Sequence, residues 1–166
     1  MSLKKVIALY ALAFVLQGSL LNLFSIVGGT PNLILCLTVA IAFIYEEGYK
    51  CIPIALITML ISDAFLGIYL GVGALSLFLT TVMVLIGRRS INTDHLFPTT
   101  VVGIVSVMVY NLIYWVILKI LKDPMTILYY LEHQVISIVY STIVIALAFL
   151  LMTRKIAMNK IDRYEE

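Results

Sequence analysis

Residues 51–87 read CIPIALITMLISDAFLGIYLGVGALSLFLTTVMVLIG. Two apolar runs are joined through Gly67, Gly71 and Gly73, and Asp63 is the single charged side chain in the stretch. Each run has helix length, and neither has the polar face that a water-exposed helix needs. The spacing predicts a helix over 51–67, with Pro53 in its first turn and Asp63 in its last. The glycines mark the connection, and a second helix follows over 73–87.

The same pattern extends in both directions. Before the quoted stretch, Glu46-Glu47-Gly48-Tyr49-Lys50 is a polar turn. A helix over 31–46 precedes it, broken from what lies upstream by Gly28-Gly29-Thr30 and opened by Pro31, a residue suited to a first helical position. This helix is short for a bilayer span, a mismatch met by little tilt, a thinned bilayer or lengthening at its ends. The first helix covers 5–26, and Gln17, Ser19, Asn22 and Ser25 give it a polar face expected to meet protein. After the quoted stretch, a polar loop over 87–98 carries Arg88, Arg89, Asp94 and His95. A long helix over 99–121 is stopped by Lys122-Asp123-Pro124. The amphipathic stretch MTILYYLEH (125–133) lies at an interface or begins a sixth helix over 134–153. A charged tail runs from Arg154.

Composition agrees with these runs. The 166 residues are 63% apolar and 12% charged, with a mean hydropathy of +1.11. A soluble domain is about half apolar and about a quarter charged. Six passes of about 20 residues each fit the length with short loops. The expected fold is therefore all-α: one domain over 1–166, a polytopic integral membrane bundle of six helices. Lys4-Lys5 ahead of an apolar run resembles a signal peptide. The run from Val6 to Val27 is too long for an h-region and lacks a small-residue cleavage site, so it is read as a retained helix.

Charge placement orients the bundle. With the N-terminus cytoplasmic, Lys4, Lys5, Lys50, Arg88, Arg89, Arg154, Lys155, Lys160 and Arg163 all fall on the cytoplasmic side. Of the 11 basic residues only Lys119 and Lys122 fall outside. Both termini are expected in the cytoplasm. A net charge of +2 gives no basis for nucleic acid binding.

Few residues carry chemistry. Asp63, an acid inside an apolar helix, must face protein or water. Placed about one turn from a helix C-terminus, it opposes the helix dipole and needs donors. The backbone of the Gly71–Gly73 connection, the start of the fourth helix, Thr30 and Asn32 are candidates. Asp63 is either a proton or ion site or a carboxylate that pins the connection between helices 3 and 4 against the start of helix 2. No second intramembrane acid or base is available for a relay, which favours pinning. The Glu46–Lys50 segment has a superficial likeness to the EExxR motif of intramembrane CaaX-type proteases, but His95 and His133 are on opposite sides and the segment is a cytoplasmic turn. No Ser–His–Asp, Cys–His, P-loop or dinucleotide-binding pattern is present, and no enzyme activity is expected. Cys36 and Cys51 lack metal-ligand spacing and are expected to pack as small apolar residues. Neither a metal nor a cofactor is implied. Arg88 and Arg89 are expected to anchor helix 4 near acidic headgroups. Tyr110, Asn111 and Tyr114 form a stripe on helix 5 beside Trp115. The stripe either lines a pocket or packs between helices, and Tyr129, Tyr130, Glu132 and His133 lie at the outer interface, where they would cap such a pocket or touch a partner.

Thr30-Pro31-Asn32-Leu33-Ile34-Leu35, a short apolar helix, a Glu/Gly turn, ITMLISDAFLG (57–67) and Gly71-Val72-Gly73-Ala74 together resemble MreD, the small membrane subunit of the bacterial rod-shape system, or elongasome. The specific match covers about residues 30–75; the rest agrees in hydropathy and length. Thr58 and Met59 stand where the family often has a glycine before its helix 3 aspartate. The resemblance implies a role without a reaction. It predicts a scaffold in the cell membrane that binds the bitopic protein MreC. That scaffold would hold RodA and a class B penicillin-binding protein near MreB filaments, supporting peptidoglycan synthesis and cell shape. Pro31, Asn32, Asp63, Gly67, Gly71 and Gly73 are the residues that match the pattern. The family fold is similar to the substrate-binding S subunits of energy-coupling-factor vitamin transporters. This supplies an alternative: a solute-binding subunit whose pocket lies near Asn32, Asp63, Tyr110, Asn111, Tyr114 and Glu132. A proton-coupled transporter using Asp63 is a third.

Overall fold

The shortest strongly apolar run becomes the centre of the molecule. In the computed structural model, which describes residues 3–24, 32–45, 47–67, 69–88, 96–122, 137–148 and 150, helix α2 (Leu33–Ile44) is buried without interruption from Ile34 to Phe43. A helix apolar on every side belongs inside. Here it is enclosed by α1 (Leu3–Phe24), α3 (Ile52–Leu66), α4 (Val72–Arg88) and α5 (Leu96–Ile120). Helix α6 (Ser137–Ala148) joins the enclosure, since the Cys36 thiol donates to the Ser141 carbonyl at 3.5 Å. The short second helix of the sequence is thus explained: at about 1.5 Å per residue its 12 residues span about 18 Å, less than an apolar bilayer core, and protein surrounds it.

The described residues form six helices and no strand. The ends of α2 and α3, the start of α4 and the end of α5, which have described neighbours, lie within two residues of the expected limits. Helix α5 begins at Leu96, before Pro98, because a proline in the first turn has no intrahelical N–H bond to lose. The polar turn before α3 is a 3-10 turn, Gly48–Cys51. Its Gly48 is buried so closely on α2 that an added Cβ would lie 2.6 Å from the Ile41 carbonyl oxygen.

Polarity is distributed inside out. Thr38, Ser62, Asp63, Ser76, Thr80, Thr81, Ser106, Ser137 and Ser141 are buried. Large apolar side chains face outward in continuous stripes. The stripe on α5 runs through Val101, Val105, Met108, Leu112, Val116 and Ile120. Contiguous apolar surface on this scale marks contact with something other than water. Five of the buried hydroxyls return hydrogen bonds to their own helices, whereas Ser141 Oγ has no partner among the described residues. Thr38 donates to the Ile34 carbonyl (2.6 Å), Ser76 to Val72 (2.8 Å), Thr80 to Ser76 (2.8 Å), Thr81 to Leu77 (2.7 Å) and Ser106 to Val102 (2.6 Å). With their donors engaged, these small side chains let helices pack closely. By length and composition two stretches, Gly48–Leu66 and Thr100–Ile120, suffice to cross a membrane, and α2, α4 and α6 are shorter apolar helices.

Candidate functional site

Asp63 sits one turn before the end of α3, where the helix dipole opposes its charge. The start of α4 relieves that opposition. The Ala74 N–H donates to Asp63 Oδ2 at 3.1 Å, and the amides of Gly71 and Gly73 also face the carboxylate. A helix N-terminus leaves its first N–H groups without intrahelical partners, and Asp63 supplies an acceptor from the neighbouring helix. The side chain is buried, 8% exposed.

Glycine makes the approach possible at two positions. Gly71 has φ +86°, a backbone conformation that side-chain-bearing residues avoid. At Gly73, an added Cβ would overlap Asp63 Oδ1 and lie 2.7 Å from Met59 Cε. The turn is closed by Gly67 N–H donating to the Asp63 carbonyl (3.0 Å) and Leu75 N–H donating to the Gly71 carbonyl (2.9 Å). The structure therefore brings together four of the residues marked in the sequence: Asp63, Gly67, Gly71 and Gly73.

Asn32 has a separate task. Its Oδ1 accepts the Leu35 N–H at 3.0 Å and caps α2. Asp63 takes donors from the start of α4, one of the sources expected, but the expected pinning against the start of α2 is not seen among the described residues: that helix start is held by Asn32 and by Gln17, whose Oε1 accepts the Ile34 N–H at 3.4 Å. On α1 the predicted polar face divides: Gln17 meets protein and Ser19 is exposed. Pro31 and Glu132 lie outside the described residues, as do Thr30, Arg89, His95, Tyr129, Tyr130 and His133.

Arg88 departs from expectation. Its Nη1 donates to the carbonyls of Tyr45 and Ala42 (3.3 Å to the latter), at the C-terminal end of α2. A headgroup anchor was expected, and the residue is a cap supplied by another helix, with its cation at the negative end of the α2 dipole. Nothing in the local sequence around Arg88 signals this, because the carbonyls belong to a helix more than forty positions away. The contact of Tyr10 with Thr38 (3.0 Å) is equally non-local. Glu47 is an exposed residue paired with Lys50 at 2.7 Å, which holds its carboxyl below the usual carboxylate range. That suits a solvated turn.

Along α5, Tyr110 and Tyr114 stack with ring centroids 6.1 Å apart. Asn111 Nδ2 and Trp115 Nε1 are buried and have no hydrogen-bond partner among the described residues. Lys119 lies 6.0 Å from the Trp115 ring centre. Cys36 and Cys51 are buried free thiols, as packing residues should be. Among the described residues no group of three or more His, Cys, Asp or Glu side chains could hold a metal ion.

The chain matches no protein-family model, no curated protein and no solved structure.

Proposed function

We propose that this chain is a multi-pass protein of the bacterial cell membrane, with six spans and both termini cytoplasmic, that acts as an MreD-like scaffold without catalytic activity. It would bind an MreC-like bitopic partner within a complex containing RodA and a class B penicillin-binding protein, against membrane lipid. The observation that carries this reading is the engagement of Asp63. The one acid between Lys50 and Arg88 accepts a hydrogen bond from the α4 backbone, which suits a side chain that shapes a surface more than one that moves a proton. It lies inside the segment that resembles MreD.

The test is co-purification of the tagged chain with an MreC-like protein from membranes, paired with depletion in the cell. Rounded cells with normal vitamin uptake are expected. Nanomolar vitamin binding without an MreC-like partner would overturn the proposal. One observation favours the S-subunit alternative: the Asn111 and Trp115 donors stand one helical turn apart on α5 without acceptors among the described residues, as a solute site would require.

A further inference from the structure

Between Lys50 and Arg88 the sequence contains one charged residue, Asp63. That interval is the α3–α4 hairpin, including its turn. A turn that projects into water is ordinarily polar, and this one exposes apolar side chains. Phe65 is 77% exposed, Leu70 is 70% exposed, and Leu66 is exposed beside them. Phe65 also meets Phe14 of α1 edge-on at 6.3 Å.

The length of the hairpin is equally specific. Lys50, largely exposed, and Arg88 mark its base. From either residue to the turn is about 26 Å at 1.5 Å per residue. A bilayer's hydrocarbon core is about 30 Å thick, and the usual tilt of about 20° shortens the reach further. A hairpin with its base at one hydrocarbon boundary therefore ends short of the other.

Backbone groups inside hydrocarbon must find partners within the protein. The two ends of the turn meet that condition through contacts already described. Gly67 N–H reaches the Asp63 carbonyl, Leu75 N–H reaches the Gly71 carbonyl, and the Asp63 carboxylate takes the Ala74 amide with those of Gly71 and Gly73 facing it. In water these amides would be solvated without a buried acid.

We propose that the α3–α4 turn lies inside the apolar layer of the membrane, with Phe65, Leu66 and Leu70 against lipid acyl chains and Asp63 as the internal acceptor that makes an immersed turn tolerable. The inference rests on the membrane reading above and revises one part of it: α3 and α4 enter as a re-entrant hairpin in place of two full spans, which leaves both termini on the cytoplasmic side. It also gives Asp63 a purpose independent of any partner: the carboxylate takes the place that water has at an exposed turn.

The test uses the purified full chain in phospholipid vesicles, with single cysteines introduced as Leu70→Cys, Leu66→Cys, Leu112→Cys and Tyr49→Cys. The unaltered chain, with Cys36 and Cys51 buried, is the blank. A nitroxide at each position is read for collision with oxygen, which concentrates in lipid, and with a water-soluble nickel chelate. Positions 70 and 66 are expected to behave like 112 on the outer face of α5, open to oxygen and closed to the chelate, and position 49 is expected to do the reverse. A membrane-impermeant maleimide should label position 70 about tenfold or more slowly than position 49, since an apolar setting disfavours the thiolate. If 70 and 66 admit the chelate while 112 does not, the turn is in water and the proposal fails while the membrane reading survives. If 70 and 66 exclude both probes, protein covers the turn and lipid is the wrong occupant. If 112 also admits the chelate, the membrane reading itself fails.

Discussion

Adding one methyl group at Gly73 tests whether the Asp63 clasp holds the bundle together. The new Cβ of Gly73→Ala would overlap Asp63 Oδ1 and lie 2.7 Å from Met59 Cε. The methionine end can swing aside, but the carboxylate is held by the Ala74 amide at 3.1 Å. Two outcomes are open to the protein: α4 moves away from α3, or Asp63 leaves its donors. Overpacking of this kind costs about 1–3 kcal/mol, and losing a hydrogen bond to a charged group costs about 1.5–3 kcal/mol. Against this stands at most about 1 kcal/mol gained by replacing a helical glycine with alanine, and less near a helix start. The expected net loss is about 2 kcal/mol. Gly87→Ala is the control, because that site has nothing within 4 Å of an added Cβ. It should be neutral or mildly stabilising. Unfolding is followed in detergent micelles by helical circular dichroism against denaturant, with Asp63→Ala/Gly73→Ala completing a double-mutant cycle. Removing the carboxylate should make the methyl group cheaper, so the double variant should be less destabilised than the sum of the two singles. Equal stability of Gly73→Ala and Gly87→Ala, or strict additivity in the cycle, would refute the reasoning.

Other substitutions have defined expectations in the same unfolding assay. Gly71→Ala puts a side chain at φ +86° and should cost about 1–2 kcal/mol, a loss that Gly71→Asn should partly avoid. Arg88→Ala leaves the carbonyls of Ala42 and Tyr45 without their donor and should cost about 1.5–3 kcal/mol, while Arg88→Lys should recover only part of it because the planar fork is lost. Asn32→Ala removes the α2 N-cap and should cost about 1 kcal/mol. Tyr10→Phe removes the hydroxyl bonded to Thr38 and, on the membrane reading proposed above, should cost about 0.6 kcal/mol, the usual worth of an interhelical hydrogen bond in lipid.

How far the sequence could be read depended on the range of the interaction. The helices were legible because apolar runs and glycine or proline breaks are local signals. The clasp was also legible, because Asp63 and the glycines of its turn lie within a dozen residues of one another. The central place of α2 was only half visible: its shortness could be seen, while enclosure by α1, α3, α4 and α5 depends on packing that no single run encodes. Arg88 was misread because a basic residue after an apolar helix has the same local appearance whether it reaches a headgroup or the end of another helix. Gln17 was placed toward protein, but its partner, the Ile34 amide, is on a different helix. Asn111 was expected to pack between helices or to line a pocket, and a residue's type says nothing about whether an acceptor stands opposite it.

Several polar side chains among the described residues share one use, and it bears on where function resides. Asn32 and Gln17 close the start of α2, Arg88 closes its end, and Asp63 closes the start of α4. The buried hydroxyls on α2, α4 and α5 turn back on their own helices. On the membrane reading proposed above, this is what the backbone would require, since helix ends in an apolar solvent have no water to complete them. A side chain engaged in this way is poorly placed to bind a solute, because taking it away would reopen a helix end. The exceptions, Ser141 Oγ on α6 and two N–H groups on α5, are then informative. Asn111 Nδ2 and Trp115 Nε1 offer N–H donors on one face of α5 without acceptors among the described residues. They close no described helix end. If the S-subunit alternative were correct, a bound solute would be expected to register at Asn111 and Trp115 before Asp63. Trp115 is the only tryptophan in the chain, so its fluorescence during a vitamin titration separates the two functions without a substitution. The scaffold reading predicts no change in that signal, and a saturable change would move the functional site from the α3–α4 clasp to α5.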